Sequence, residues 1–252
     1  MKKEDRYGLI TINRPEVMNA LNLEVRREIL QILDEAENDE SVRVLVITGA
    51  GNKAFSAGAD ITMFKTMTPS IAKEYLKITK SAANRIETFP KPVIALVNGY
   101  AIGGGLELAM SCDLIIASER AKFGQGEINV GIIPGVGGTQ RLPRLIGIKR
   151  AKELIFTGDL IDAKRALEIG LVNSIVPETE LFGTMEKLVS KLVSKSPLIL
   201  NLAKQAINTS AAGLKEGLDY ESTLFMTCFS SNDQKEGASA FLEKRKPEFN
   251  GT

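Results

Sequence analysis

The chain has 252 residues, enough for one large domain or a domain with a small appendage, and 44% of them are hydrophobic, so a sizeable core can form. Its 32 Lys and Arg balance 31 Asp and Glu, which gives no electrostatic ground for binding nucleic acid or an acidic membrane surface. It contains no histidine, which excludes Ser-His-Asp and Cys-His catalysis and His-ligated metal sites. Acid–base chemistry near neutral pH then falls to carboxylates, Lys, Tyr or Cys with shifted pKa values. No apolar run follows MKKEDR, and no stretch of about 18 apolar residues occurs, so a soluble, non-secreted, cytoplasmic protein is expected. Cys112 and Cys228 sit among apolar residues and are expected as buried, reduced thiols.

In chain order, YGLITIN (7–13) alternates as a strand does, and Pro15 follows it. Residues 22–38 carry Leu23, Ile29, Leu30, Leu33 and Ala36 at helical spacing. VRVLVIT (42–48) is rich in β-branched residues and reads as a buried strand. Residues 49–52 form a turn, and FSAGAD (55–60) reads as a loop. A helix is predicted over 69–88, then a second buried strand, PVIALV (92–97), closed by Asn98-Gly99. Three glycines lead into a short helix, GGGLELAM, followed by a third strand, DLIIA (113–117). PGVGG (134–138) opens a helix through Leu145, and residues 172–176 form a last short strand. From 178 to 244 every segment is helical in character, punctuated by Pro197 and Gly213. The first two-thirds therefore alternates β and α, and the rest is helix, with no strict sequence repeat.

Two carboxylates stand out. Glu107 sits in the middle of an apolar helix, where it is exposed, paired with a buried cation, or chemically employed. Twenty residues on, FGQGEINVGIIPG (123–135) places Glu127 in a second apolar, glycine-rich setting. A pair of carboxylates in such surroundings suits general acid–base work, because an apolar cleft keeps at least one protonated near neutral pH. The glycines before the helix expose backbone N–H groups, but their pattern is not the dinucleotide fingerprint GxGxxG. FSAGAD is either an ordinary surface loop or a second source of N–H groups, and an oxyanion hole needs two donors.

Together these stretches resemble the enoyl-CoA hydratase/isomerase (crotonase) family. The resemblance is carried by INRPEVMNALN (12–22), AFSAGADI (54–61), KPVIALVNGYAIGGGLELAMSCDLIIAS (91–118), FGQGEINVGIIPGVGGTQRLPRLIG (123–147), TGDLIDAKRALEIGLVN (157–173) and QKEGASAFLEKRKPEF (234–249), and it spans almost the whole chain. It implies an α/β fold, a crotonase-type spiral of ββα units. Residues 1–195 would form the acyl-CoA-binding and catalytic domain, and 196–252 a helical region that builds homotrimers, often paired into hexamers. The thioester oxygen would be held by the N–H groups of Ala59 and Gly104, and Glu107 and Glu127 match the family's two catalytic acids. Ala57, Asp60, Ile61, Gly103 and Gly135 would line the substrate site, while Phe225 and Lys244 match positions that reach the CoA adenine and phosphate region across subunits. No metal or redox cofactor is implied; CoA belongs to the substrate.

Keeping both acids favours hydration of trans-2-enoyl-CoA over the alternatives. These are a Δ3-Δ2-enoyl-CoA isomerase, a 3-hydroxypropionyl- or 3-hydroxybutyryl-CoA dehydratase running the same chemistry in reverse, and a non-catalytic RNA-binding or assembly member. Charge balance and intact acids argue against the last. One departure is visible: family members commonly carry Pro before the second acid, where this chain has Gly126, which widens the local φ/ψ choice around Glu127.

Overall fold

The computed structural model describes residues 1–4, 6–210 and 213–252, and for Met63 the backbone alone. In chain order the elements are β1 (Lys2–Glu4), β2 (Tyr7–Ile12), α1 (Leu23–Glu37), β3 (Val44–Gly49), β4 (Ala54–Ser56), α2 (Pro69–Glu87), β5 (Val93–Val97), β6 (Tyr100–Ile102), α3 (Gly104–Met110), β7 (Leu114–Ser118) and β8 (Lys122–Gly124). Then come α4 (Gly138–Ile146), α5 (Ile148–Thr157), β9 (Ile161–Asp162), α6 (Ala163–Glu168), β10 (Ser174–Val176), α7 (Leu181–Val193), α8 (Pro197–Thr209), α9 (Leu214–Cys228) and α10 (Asn232–Leu242).

The strands form two sheets, one ordered β1-β2-β3-β5-β7-β10 and one ordered β4-β6-β8-β9. A repeat invisible as sequence identity explains this arrangement. In β3-β4-α2, β5-β6-α3 and β7-β8-α4, the first strand enters the large sheet, the second enters the small sheet, and a helix follows. Each unit adds its strands parallel to those of the preceding unit, as in Ile94 beside Leu114 and Ala101 beside Phe123. This is the expected ββα spiral.

The large sheet is covered on both faces, which is why its strands read as continuous apolar runs. Leu45, Ile47, Val93, Ala95, Val97, Ile115 and Ala117 face the main core, together with Ile29 and Leu33 of α1 and Ala82 and Ile86 of α2. The alternate residues Val44, Val46, Ile94, Leu96 and Ile116 pack against Leu181, Met185 and Val189 of α7. The long helices begin where their caps place them. Asn22 and Thr68 accept from Val25 and Ile71 N–H at the starts of α1 and α2, Pro197 occupies the first turn of α8, and Gly213 precedes α9.

Three readings need correction. The segment read wholly as a loop, FSAGAD, begins as β4, because Phe55 and Ser56 are buried and pair with the next unit. The Asn98-Gly99 turn does not lead straight to the glycines, since β6 intervenes. Cys112 and Cys228 are free but only half-buried.

Candidate active site

The small sheet positions the site. β4, β6 and β8 are parallel neighbours, so the chain leaves their C-terminal ends side by side as residues 57–60, 103–104 and 125–127. Ligands in α/β sheets gather at such ends, where loops diverge and backbone amides are free. Ala59, Gly103, Gly104 and Glu127 are all delivered there, by three consecutive units.

Ala59 is held by the 12–22 motif. Leu21 N–H donates to Gly58 O at 2.7 Å and Asp60 N–H donates to Leu21 O at 3.3 Å, forming an isolated parallel bridge opposite Ala59. A residue flanked in this way turns its own N–H away from the partner strand. Fully buried Asn19 braces the segment from behind: its side chain donates to Ala50 O and Ala54 O and accepts from Arg14 N–H. Arg14 also pairs with Asp60 at 3.3 Å, while the Asp60 carboxylate accepts from the Thr62 hydroxyl at 2.8 Å. The hydroxyl bond, with help from Arg14, holds the Asp60 carboxyl below its ordinary range. Ala57 and Asp60 are half-buried and Ile61 is exposed.

Glycine is required where these segments meet. Gly103 sits at φ 53°, ψ −124°, a conformation that side chains resist, and turns the chain from β6 into α3. Gly58, at φ 97°, lies so close to β6 that a methyl carbon on it would stand 2.7 Å from Ile102 O and 3.2 Å from Gly104 N. A methyl on Gly104 would stand 3.4 Å from Ala59 N. The Ala59 and Gly104 amides are therefore neighbours, kept so by backbones that approach without side chains between them.

Glu107 lies one turn into α3, whose residues are all buried, and is itself 1% exposed. It is not exposed, and among the described residues it makes no ion pair. Its Oε1 accepts from Val136 N–H at 2.7 Å and Gly138 N–H at 2.8 Å, both in the PGVGG segment. Arg141 ties that segment down by donating to Val136 O at 2.9 Å and pairing with Glu87 at 2.6 Å. Burial raises the Glu107 carboxyl, while the two amides and the positive charges of Arg26 and Arg141 pull it back.

Glu127 opens a short 3-10 turn, half-buried, with its carboxyl against Gly103: a methyl there would stand 3.0 Å from Glu127 Oε1. Burial, together with the charge of Glu107, pushes it up to about 7. Its neighbour Gln125 is fully buried, and with its amide nitrogen toward the carboxylate it donates to Oε1 at 3.2 Å and Oε2 at 3.0 Å. An amide serves both protonation states, since after a half-turn its oxygen accepts from the neutral acid. Gly126 has φ −88° and ψ 9°, and a methyl on it would meet nothing closer than 3.7 Å. The freedom of glycine is not used at that position.

Gly135 is half-buried, and a methyl on it would stand 3.0 Å from a Leu76 methyl of α2. Phe64 and Tyr75 pack edge to face at 6.0 Å beside this region; the Met63 side chain lies outside the described residues. The structure does not bring Phe225 and Lys244 to this cluster. Phe225 is 63% exposed on α9 beside Phe229, and Lys244 is exposed just beyond α10. Among the described residues, no hydrogen bond, ion pair or ring contact links either of them to the glutamates. The sequence reading passed over Arg14, Asn19, Gln125, Arg26 and Arg141.

Comparison with known proteins agrees with this architecture. The profile of the family described as enoyl-CoA hydratase/isomerase matches residues 3–252. The chain is 47% identical to a short-chain-enoyl-CoA hydratase of Clostridium acetobutylicum, covering 98% of this chain and 95% of that one. It is 45% identical to a crotonyl-CoA hydratase of Syntrophomonas wolfei, covering 99% and 96%. The crystal structure of an enoyl-CoA hydratase from Bacillus anthracis superposes with a TM-score of 0.95 at 40% identity, covering 100% and 98%. With its two sheets, its ββα spiral and a match over nearly every residue, the chain belongs to the enoyl-CoA hydratase/isomerase family and has the crotonase fold.

Proposed function

We propose that Glu107 and Glu127 carry the activity of this chain, an enoyl-CoA hydratase, by adding water across the double bond of a trans-2-enoyl-CoA held at Ala59 and Gly104. The observation that carries this assignment is the asymmetry of the two acids. Glu107 accepts two backbone N–H bonds, which favour its ionised form, whereas Glu127 is pushed to about 7 with an amide partner that tolerates either state. The two carboxyls thus meet different surroundings, and we assign Glu107 as the base and Glu127 as the acid.

In the hydration direction the thioester oxygen lies between the Ala59 and Gly104 amides. They stabilise the negative charge that develops there as the bond is polarised, each by a few kcal/mol. Water meets Glu107 at Oε2, since Oε1 is occupied by Val136 and Gly138. Its oxygen forms the bond to Cβ while its proton passes to Glu107, and the electron pair of the double bond moves onto the thioester. Glu127 then delivers its proton to Cα, and the charge returns from the oxygen. Water has been added to one face: its oxygen is on Cβ, its proton on Glu107 and the Glu127 proton on Cα, and the pair resets by giving a proton from Glu107 to solvent and taking one back on Glu127. Dehydration of a 3-hydroxyacyl-CoA is the same path reversed. The chemistry draws on no redox group or metal.

A short acyl chain is in keeping with the printed names of the Clostridium and Syntrophomonas relatives. The helical segment 196–252 is proposed as the part that builds a homotrimer or homohexamer. It carries Leu214, Leu242 and Phe241 at 80% exposure or more, together with exposed Phe225 and Met226, a face that a second copy would cover. Phe225 and Lys244 would then meet CoA bound to a neighbouring protomer. No helix among the described residues is long and apolar enough to cross a membrane, and we place the protein in the cytoplasm.

The test is loss of the enoyl-thioester absorbance of crotonyl-CoA. Wild type is expected to hydrate it rapidly, and Glu107→Gln and Glu127→Gln each to lose about 100-fold or more. A Glu107→Gln variant that hydrates normally, or a wild type that only converts 3-enoyl-CoA with Glu127 alone required, overturns the two-acid assignment.

A further inference from the structure

Arg26 is the side chain that the two-acid chemistry leaves unexplained. It occupies a core position of α1, one turn before Ile29 and two before Leu33, and is fully buried. Among the described residues, all three of its guanidinium nitrogens lack a hydrogen-bond partner. Guanidinium stays charged in proteins, so the interior holds a cation with no carboxylate in contact with it. Such a group destabilises the fold, and a hydrocarbon of similar volume would serve packing better.

Its location is specific. Nη2 stands 3.2 Å from where a methyl carbon on Gly104 would be, and the same point is 3.4 Å from Ala59 N. The charge thus lies within a few ångströms of the backbone that presents the two amides assigned to the thioester oxygen. Tyr75 from α2 and Glu107 from α3 are the groups whose charges it feels. Neither forms a hydrogen bond with it, so Arg26 is not a clamp for either side chain.

We propose that Arg26 is an electrostatic positioning residue: a fixed, buried cation beside the Ala59–Gly104 oxyanion hole that stabilises the charge appearing on the thioester oxygen in the transition state. Fully buried, it takes part in no bond making and acts by its field alone. In a dry interior a full charge one layer away is weakly screened, so its field reaches the oxygen at little loss. The ground-state thioester is nearly neutral there and gains little. The effect therefore falls on kcat rather than on KM. This inference rests on the hydratase reading for its site.

The experiment uses the full chain as it assembles, with Arg26→Met and Arg26→Lys. Three readouts are taken: crotonyl-CoA hydration, thermal melting, and the absorbance of a bound dimethylaminocinnamoyl-CoA, a push–pull thioester whose band moves to the red as its carbonyl is polarised. Arg26→Met is expected to melt at or above the wild-type temperature. Its kcat is expected to fall roughly 10-fold or more with KM within about twofold, and its red shift to shrink. Arg26→Lys is expected to recover part of both kcat and red shift. Wild-type kcat and red shift in Arg26→Met overturn the proposal. So does a loss of kcat with an intact red shift and no rescue by lysine, which marks a packing role. Because the red shift needs no turnover, it reports on Arg26 even if wild type fails to hydrate crotonyl-CoA, the separate result that overturns the hydratase reading.

Discussion

Replacing Glu127 by glutamine is expected to stabilise the protein above neutral pH while abolishing hydration. In the fold the carboxyl titrates at about 7, against 4.5 for an unperturbed one. The folded state therefore holds its proton where the unfolded chain has already released it. Stability contributed by the neutral acid is fully present below pH 4.5, drains away as pH rises toward 7, and is absent above it. Each pH unit of that window is worth about 1.4 kcal/mol, so ionised Glu127 costs the fold about 3 kcal/mol at pH 8. Glutamine keeps the shape and the bond to Gln125 but has no charge to bury. Glu127→Gln and wild type should melt together near pH 4.5 and diverge with rising pH, the variant melting higher by roughly 6–12 °C at pH 8. Thermal unfolding of both proteins from pH 4.5 to 8.5 makes the comparison. A constant difference across the range, or a variant less stable at pH 8, would falsify the claim that burial and Glu107 hold this proton.

The same titration shapes the rate. For crotonyl-CoA hydration, kcat/KM is expected to fall as pH rises through about 7 and Glu127 loses its proton. The dehydration of 3-hydroxybutyryl-CoA should show the same limb, because both directions need the pair to hold one proton; limbs that differ between the directions would refute this. Gly103→Ala forces a side chain into φ 53° and sets a methyl 3.0 Å from Glu127 Oε1. It should lose about 1–3 kcal/mol of stability, read by denaturant melts, and about 100-fold in kcat. Gly126→Ala, with ordinary dihedrals and open space, should keep activity and gain about 0.4–1 kcal/mol; a loss of kcat there would show that the flexibility of Gly126 is used.

What the sequence made legible divides by element length. β3, β5 and β7 are buried on both faces and announce themselves as apolar runs, and α1 and α2 are long enough for helical spacing to repeat. β4, β6, β8 and β9 are two or three residues each, too short for any period to register, yet three of them deliver the site. FSAGAD therefore reads as a loop in sequence, although its first two residues are strand. The two glutamates were legible because a carboxylate on an apolar stretch is anomalous. Arg26 left a fainter mark. An arginine on a helix normally reads as its wet face, but residue 26 precedes Ile29 and Leu33 by three and seven, which puts it on the buried stripe. The bracing roles of Arg14, Asn19 and Arg141 were beyond reach, because Asp60, the Ala50 and Ala54 carbonyls and Glu87 lie more than 30 residues away in sequence.

The placement of the two acids explains why one fold can use two chemically identical side chains in opposite roles. Both are drawn from apolar surroundings that raise a carboxyl, so burial alone would make both of them acids. Glu107 differs because it sits within a helix whose neighbour, the PGVGG segment, has glycine on both sides of Val136 and can turn two N–H groups onto a single oxygen. Glu127 stands at the end of β8, against Gly103, with a reversible amide for company. Their mutual repulsion then separates them further, since the ionised member raises the other. Backbone N–H groups thus draw Glu107 toward the base, while burial and then the charge of Glu107 hold Glu127 as the acid. Altering either glycine flanking Val136 should therefore disturb Glu127 through Glu107, although neither touches it.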